Sequence, residues 1–313
     1  MQELNDIDFE KYLQDHENRK IAQNIEYFDE NFDDVYDYMI NGSQLNGQPP
    51  CWSKMSNLWR IRESEVTLVA GVNGNGKTTW LSQVVAFLDT PTVIASLEMP
   101  TKTTKAKMLR QVCGMHNPSA EYAKSMMSEL KDQIYLFNQI GTVTPDVIRG
   151  LIVYAAEVLK VKQIVIDSLV KVKLKLDDHS AQRDFVSQLS ELAKEYKVHI
   201  FLVVHMRKGA DETAIPDKYS VKHAGELVDL CDNLLIVARN MKKVIALQNP
   251  ANVAEYEPKP DGFLRIAKNR HGDFEGLISF WFDTSSQQWL ETRKQKPLLL
   301  KNWSRDDKNS TAE

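Results

Sequence analysis

The segment GVNGNGKT at residues 71–78 constrains the fold of this chain more than any other feature. It matches the full phosphate-loop pattern G-x-x-x-x-G-K-[ST], with the apolar run Val66–Ala70 before it and a helical stretch, Thr78–Leu88, after it. Glycines let backbone N–H groups surround phosphates at a helix N-terminus, where the helix dipole favours anions. The sequence therefore predicts a nucleotide site whose binding residues are Gly71, Asn73, Gly74, Asn75, Gly76, Lys77, Thr78 and Thr79.

Two further residues complete the expected magnesium–nucleotide site. We expect Lys77 to reach the β- and γ-phosphates and Thr78 to bind Mg²⁺. Asp167 ends the apolar run Gln163–Ile166, and an acid at that end of a strand holds Mg²⁺ in phosphate-loop proteins. The predicted cofactors are ATP, or another NTP or dNTP, and Mg²⁺, with Thr78 and Asp167 as the metal ligands.

Two other strand ends carry candidate catalytic residues. Glu98 follows the run Val93–Leu97 and is placed to orient the attacking water, although it also fits a helix-capping acid before Pro100. His205 follows the run Ile200–Val204 and faces the same predicted sheet edge as the phosphate loop. We predict that both residues are catalytic, with a structural role as the alternative for His205.

The whole pattern predicts an α/β core with a mainly parallel central sheet. Short apolar runs alternate with helical stretches, as in sheets covered by helices on both faces. Leu234–Val237 is a fifth strand, Pro145–Leu159 and Ala181–Tyr196 are helices, and Gly262–Lys268 with Leu277–Phe282 forms a hairpin. We expect the core over residues 51–292, followed by a charged, mobile tail over 293–313.

Residues 1–50 read as an acidic helical segment and a linker. The linker is marked by Asn41-Gly42, Asn46-Gly47 and Pro49-Pro50. One helix face carries an apolar stripe, which either packs on its own domain or docks on a neighbouring subunit. The stripe consists of Ile21, Ile25, Phe28, Phe32, Val35 and Met39.

Composition limits the classes of function. Cys51, Cys113 and Cys231 lie far apart, which argues against a zinc ribbon or a disulfide framework and favours a cytoplasmic location. No apolar run reaches the roughly 18 residues that a membrane span needs. The net charge of −4 means that any contact with nucleic acid has to come from a local basic patch.

Residues 207–222 are the first candidate for such a patch. This polar stretch can follow the phosphates of single-stranded DNA, but its acidic residues also fit a plain flexible loop. Its predicted DNA-binding residues are Arg207, Lys208, Lys218 and Lys222. A second cationic face, Lys171, Lys173 and Lys175, is either another DNA contact or a solvated strand edge.

Lys268 and Arg270 are two residues apart on a predicted strand, so their side chains point the same way. They are either a surface feature or a finger that stabilises charge on phosphate oxygens, supplied by the next subunit. Arg239 and Phe280 are candidates for flanking the base or ribose, with ordinary packing as the alternative.

Several motifs resemble DnaB-type replicative helicases and phage helicase–primases, including the Twinkle group. Ser96–Pro100 resembles the S-L-E-M motif, whose acid activates water, and Val203–Lys208 resembles the element whose histidine senses the γ-phosphate. Leu227–Val237, followed by Arg239, resembles the segment before a nucleotide-facing arginine. Ile266–Gly272 resembles the K-x-R element whose cations reach a neighbour's ATP.

The resemblance spans roughly residues 60–292 and implies a RecA-like phosphate-loop ATPase core without a fused primase. It implies a homohexameric ring that moves 5′ to 3′ on single-stranded DNA and unwinds a replication fork. A separate primase and DNA polymerase are the expected partners, no membrane is involved, and a phage or prophage origin is favoured. Lys222–Gly225 departs from the family's glycine-serine-glycine. The alternatives are a RadA-like recombination or branch-migration motor and an ATP-switched loader that does not unwind.

Overall fold

The computed structural model describes residues 28–41, 47–174, 179–206, 211–220 and 224–300. The chain divides into two compact units, residues 1–43 and 44–313. In the first unit, helix α1 (Phe32–Asn41) leaves the apolar stripe residues Phe32, Val35 and Met39 exposed. Ile21 and Ile25 lie outside the described residues.

The second unit contains strands and helices in alternation. Its strands are β1 (Val66–Gly71), β2 (Thr92–Ser96), β3 (Ile134–Leu136), β4 (Gln163–Asp167), β5 (His199–His205), β6 (Asn233–Arg239), β7 (Gly262–Asn269), β8 (Gly276–Asp283) and β9 (Gln288–Leu290). Its helices are α2 (Lys77–Ala86), α3 (Thr101–Cys113), α4 (Ala120–Glu129), α5 (Pro145–Glu157), α6 (His179–Glu195), α7 (Ala224–Leu230), α8 (Met241–Ala246) and α9 (Val253–Tyr256).

The described strands form one sheet in the order β3-β2-β4-β5-β1-β6-β7-β8-β9. Pairing is parallel from β3 to β6, and antiparallel from β6 to β9. Every residue of β1 is buried, because alternate side chains enter the cores on opposite faces. Val66, Leu68 and Ala70 join one core, and Val69 joins the other. The predicted mainly parallel α/β fold and its terminal hairpin are confirmed.

The parallel register fixes which residues meet at the end of the sheet. Gly71 pairs with His205, and Ser96 pairs with Asp167, so the carboxyl ends of β1, β2, β4 and β5 lie at one edge. We call this the carboxyl edge, and the opposite end the amino edge. Asn269, the last residue of β7, pairs with Asn233, the first residue of β6, and therefore lies at the amino edge.

The first part of the charged tail packs on the core, so its predicted mobility is wrong for residues 293–300. The Gln288 side chain donates to the Leu298 carbonyl at 2.9 Å and accepts from the Leu298 amide at 2.8 Å. Leu300 packs partly against the second core. Apolar leucines after Pro297 outweigh the charges that suggested a free tail. Among the described residues, no helix is both long and apolar enough to cross a membrane.

Candidate nucleotide and catalytic site

The phosphate loop joins β1 to α2 at the carboxyl edge. Gly74 and Gly76 have φ values of +83° and +87°, which glycine adopts without steric cost. Lys77 begins α2 and is 6% exposed, with its Nζ 2.8 Å from the Gly71 carbonyl oxygen. Burial lowers the pKa of Lys77, and the carboxylates of Asp167 and Glu98 oppose this shift. The ammonium group is therefore held inside the loop that precedes it.

The residues expected to bind Mg²⁺ are in contact. Thr78 Oγ1 donates to Asp167 Oδ2 at 2.6 Å. Burial raises the pKa of Asp167, and the hydrogen bond from Thr78 opposes this shift. A hydroxyl and a carboxylate are hard oxygen donors, and Mg²⁺ typically takes one or two such ligands beside nucleotide phosphates and water. The donor set therefore fits Mg²⁺.

Glu98 and His205 meet over a serine that follows β4. Ser168 Oγ lies 2.6 Å from Glu98 Oε1 and 3.1 Å from His205 Nε2. His205 Nε2 is also 3.3 Å from Glu98 Oε1, and His205 Nδ1 is 3.4 Å from Lys77 Nζ. The structure thus brings together Lys77, Thr78, Asp167, Glu98 and His205, from four different segments.

The environment of Glu98 keeps its carboxyl group ionised. Burial raises its pKa, but hydrogen bonds from Ser168 and His205 outweigh burial, so the pKa lies below its usual range. The side chain is 37% exposed and therefore reaches solvent. A carboxylate at this position can accept a hydrogen bond from water, which is the property that orienting a nucleophile requires.

A cavity of about 300 Å³ adjoins the phosphate loop. Its walls include Asn73, Asn75 and Arg239, with part of the segment 211–220. Arg239 is exposed at the end of β6 and therefore lies beside the loop, as expected for a residue that flanks a nucleotide. Thr79 is half-buried in the first turn of α2, where its carbonyl accepts a hydrogen bond from the Gln111 side chain at 2.9 Å.

Phe280 does not flank a nucleotide. It is 1% exposed, and its ring packs edge-on against Trp52 with 5.1 Å between centroids. Lys54 Nζ lies 4.0 Å from the centre of the Phe280 ring. A base could stack there only by displacing part of the core, so the prediction for Phe280 is wrong and its role is packing. Position in the sequence could not show which side of β8 faces inward.

Lys268 and Arg270 converge at the amino edge, on the loop between α7 and β6. Lys268 Nζ donates to the carbonyls of Val228 and Cys231, both at 2.7 Å. Arg270 forms an ion pair of 2.9 Å with Asp232, which is buried. The other carboxylate oxygen of Asp232 accepts from the Val66 amide at 2.8 Å, at the start of β1.

The predicted DNA-binding residues are only partly described. Arg207, Lys208 and Lys222 lie outside the described residues. Lys218 is exposed in a short turn, with its Nζ 5.8 Å from the centre of the Tyr219 ring. Lys171 ends a 3-10 turn after β4, and Lys173 is exposed. The described cations are accessible to a polyanion, but they are too few to outline a nucleic-acid interface.

Sequence reasoning missed two residues that join the others. Ser168 bridges Glu98 and His205, and Asp232 holds Arg270. Each follows or precedes a strand, and each neighbours a residue of the predicted motifs, but a single serine or aspartate beside a strand is too common to stand out. Their contacts come from segments 37–70 residues away in sequence.

The fold and this arrangement of side chains define a RecA-like phosphate-loop NTPase domain. The chain belongs to the family of AAA domains, whose model matches residues 40–211. The Twinkle homolog protein of Arabidopsis thaliana, from chloroplasts and mitochondria, is 22% identical over 237 residues. That match covers 69% of this chain and 33% of the relative, so the chain corresponds to about a third of that protein's length.

Two solved structures share the fold. One is an isolated ATPase domain, which superposes with a TM-score of 0.70 at 16% identity and covers 86% of this chain and all of that domain. The other, a DnaB-like replicative helicase solved with its interactions with primase, gives a TM-score of 0.67 at 16% identity. That match covers 85% of this chain and 67% of the helicase. The resemblance to DnaB-type and Twinkle-like helicases is confirmed, and the helicase-type ATP-binding features agree with these matches.

Proposed function

We propose that this protein is an ATP-dependent replicative DNA helicase that works as a hexameric ring on single-stranded DNA. The observation that carries the proposal is the convergence of Lys77, Thr78, Asp167, Glu98 and His205 at one sheet edge. A phosphate-binding lysine, a metal-binding pair and a water-orienting carboxylate are the parts that phosphoryl transfer to water needs. The AAA domain match and the two structural matches support the same function.

Each residue has a defined task in the proposed hydrolysis. Lys77 and the amides of the loop hold the β- and γ-phosphates, while Thr78 and Asp167 hold Mg²⁺, which neutralises charge on the phosphates. Glu98 accepts a hydrogen bond from the attacking water and orients it toward the γ-phosphorus. His205 contacts both Lys77 and Glu98 and is therefore placed to respond to the γ-phosphate.

The position of Arg270 supports catalysis between subunits. It lies at the amino edge, whereas the phosphate loop lies at the carboxyl edge. The six residues of β1 separate the two by roughly 20 Å, so Arg270 cannot contact a nucleotide in its own loop. Its side chain is 41% exposed, which leaves donors free for the phosphate of a neighbour. A ring of identical subunits provides that neighbour.

Movement along DNA is the second half of the proposal. The curated relative is named as a Twinkle homolog, and one structural match is named as a DnaB-like replicative helicase. We assign 5′-to-3′ movement on single-stranded DNA by that resemblance, with basic residues of the segment 207–222 facing the strand. Such contacts weaken as salt concentration rises, because binding releases counterions. A separate primase and polymerase are the proposed partners, in the cytoplasm.

The first test compares steady-state ATPase activity with and without single-stranded DNA. Wild type should be stimulated by DNA, and Lys77→Ala should lose at least about a hundredfold in kcat/KM, because a charged contact to the phosphates disappears. Lys162→Ala is the matched control, since its lysine lies in an exposed ion pair with Glu63. Forked duplexes with only a 5′ or only a 3′ tail then report unwinding and polarity, and mass measurement with bound nucleotide reports assembly.

Distinct results separate the rival functions. A loader or assembly module would bind ATP but would show neither DNA stimulation nor strand displacement. A recombination motor of the RadA type would move branched junctions in preference to simple forks. Unwinding of a 5′-tailed fork by an assembled ring supports the proposal, and a monomer that hydrolyses ATP at the same rate with or without DNA contradicts it.

A further inference from the structure

Ser168 is a fully buried serine located between the two candidate catalytic side chains. Its hydroxyl oxygen lies 2.6 Å from Glu98 Oε1 and 3.1 Å from His205 Nε2. We propose that Ser168 is a positioning residue that couples Glu98 to His205, so that the carboxylate holds the attacking water in the correct orientation. This inference rests on the proposed ATPase function, and it assigns a role to a residue outside the phosphate loop and the metal pair.

The hydrogen-bonding capacities of the three groups determine the direction of each bond. Glu98, whose pKa lies below its usual range, is an acceptor, so Ser168 donates its one O–H to Glu98 Oε1. The serine oxygen then has lone pairs left to accept a proton from His205 Nε2. In neutral histidine this leaves Nδ1 without a proton, and Nδ1 is the atom 3.4 Å from Lys77 Nζ. One directed chain of hydrogen bonds therefore runs from Lys77 through His205 and Ser168 to Glu98.

This chain determines which oxygen of Glu98 is available for water. Both Ser168 and His205 contact Oε1. The carboxylate plane is therefore fixed through one oxygen, and Oε2 is the oxygen that can accept from a water molecule. A serine hydroxyl, short and buried, can hold this geometry because it moves little, whereas Glu98 alone would rotate about its terminal torsion.

The same chain explains how the site would respond to the γ-phosphate. Lys77 contacts His205, and His205 and Ser168 share one oxygen of Glu98. A shift of Lys77 onto a phosphate changes the partner of His205 Nδ1, and the hydrogen bonds of Ser168 pass that change to the carboxylate. Ser168 acts only through Glu98 and His205, and this limitation can be tested with double substitutions.

The test is a double-mutant cycle of Ser168→Ala and Glu98→Gln, read by single-turnover hydrolysis of γ-labelled ATP. Ser168→Ala alone should lower the rate about tenfold to a hundredfold, as expected for one hydrogen bond to a charged group. In the Glu98→Gln background the same change should alter the rate less than about twofold, because the water-orienting carboxylate is already absent. Affinity for a fluorescent ATP analogue should stay constant in all four proteins.

Ser286→Ala is the matched control, because Ser286 is also fully buried and its hydroxyl is also 2.6 Å from a carboxylate, that of Asp283. It should leave the hydrolysis rate unchanged. A Ser168→Ala protein with the wild-type rate overturns the inference. So does a loss of equal size in both backgrounds, which would indicate a purely structural role and would accompany a lower melting temperature. If wild type itself hydrolyses no ATP, the proposed function fails instead, and the two failures are thus distinguishable.

Discussion

At the scale of single residues, buried polar groups at the amino edge set the pH behaviour of the fold. Glu65 is 4% exposed, and burial raises its pKa to about 7, although the Asn233 amide, donating at 2.8 Å, opposes the shift. His199 is also buried, and burial lowers its pKa to about 4. Each group is held in its neutral form because burial disfavours its charged form.

The raised pKa of Glu65 predicts a stability change with pH. Its folded pKa of about 7 exceeds the ordinary 4.5, so its contribution is fully present below pH 4.5 and is lost as pH rises toward 7. Glu65→Gln removes this loss. Its free energy of unfolding relative to wild type should therefore rise by roughly 1–3 kcal/mol between pH 5 and pH 8.

Urea unfolding at the two pH values measures this difference. Glu63→Gln is the control, because its half-exposed side chain pairs with Lys162 at the surface and should respond little to pH. Parallel pH curves for Glu65→Gln and wild type would show that Glu65 is ionised in the folded protein.

At the scale of elements, the phosphate loop depends on glycine for two different physical reasons. At Gly74 (φ +83°) an added Cβ would meet no atom within 4 Å, so only the backbone conformation requires glycine. At Gly76 (φ +87°) an added Cβ would also lie 3.0 Å from the Trp289 ring, which is buried. The start of α2 is thus shaped by a strand more than 200 residues away.

This contrast predicts unequal costs for two similar substitutions. Gly74→Ala should destabilise the protein by about 1–2 kcal/mol, the cost of the left-handed conformation. Gly76→Ala should cost more, because the Trp289 ring has to shift as well. Thermal unfolding of the two variants checks the order of stability. Equal melting temperatures would mean that Trp289 moves freely and does not constrain the loop.

At the scale of the whole molecule, the two edges of the sheet would serve two different nucleotides. Asp232 binds the Val66 amide with one oxygen and Arg270 with the other, so the strand leading to the phosphate loop and the proposed finger share one anchor. Removing the arginine side chain completely would leave Asp232 buried without its cation. Arg270→Lys keeps a positive charge and is therefore the better probe of its role in catalysis.

The arrangement between subunits predicts complementation in mixed rings. Lys77→Ala and Arg270→Lys proteins should each be nearly inactive alone, because one lacks the phosphate lysine and the other lacks a forked guanidinium. When mixed, some interfaces combine an intact loop with an intact arginine, so ATPase activity should reappear. Activity is measured across mixing ratios after the rings are reassembled. A mixture as inactive as its components would argue that Arg270 acts within its own fold only.

The apolar stripe of α1 belongs to the same scale. Its described residues Phe32, Val35 and Met39 are exposed, and the sequence is compatible with docking in cis or on a neighbour. Sequence periodicity identifies such a stripe well, but it says nothing about the surface that covers it.

The local parts of this protein follow from the amino-acid sequence alone. Residues 71–78 are contiguous and need glycine and lysine for reasons of backbone geometry and charge, so the phosphate loop could be predicted directly. The strands were predictable because their apolar runs are buried on both faces. Asp167, Glu98 and His205 were predicted because each ends such a run, and parallel strands bring their ends to one edge.

Features that depend on the packing of distant segments emerged only from the folded chain. Folding placed Phe280 in the core, packed residues 293–300 on the domain, and put Ser168 between two side chains from other strands. It also located Arg270 at the edge opposite the phosphate loop, through the antiparallel return of β7. Side-chain direction and long-range register result from the whole core packing at once, and no short stretch of sequence carries that information.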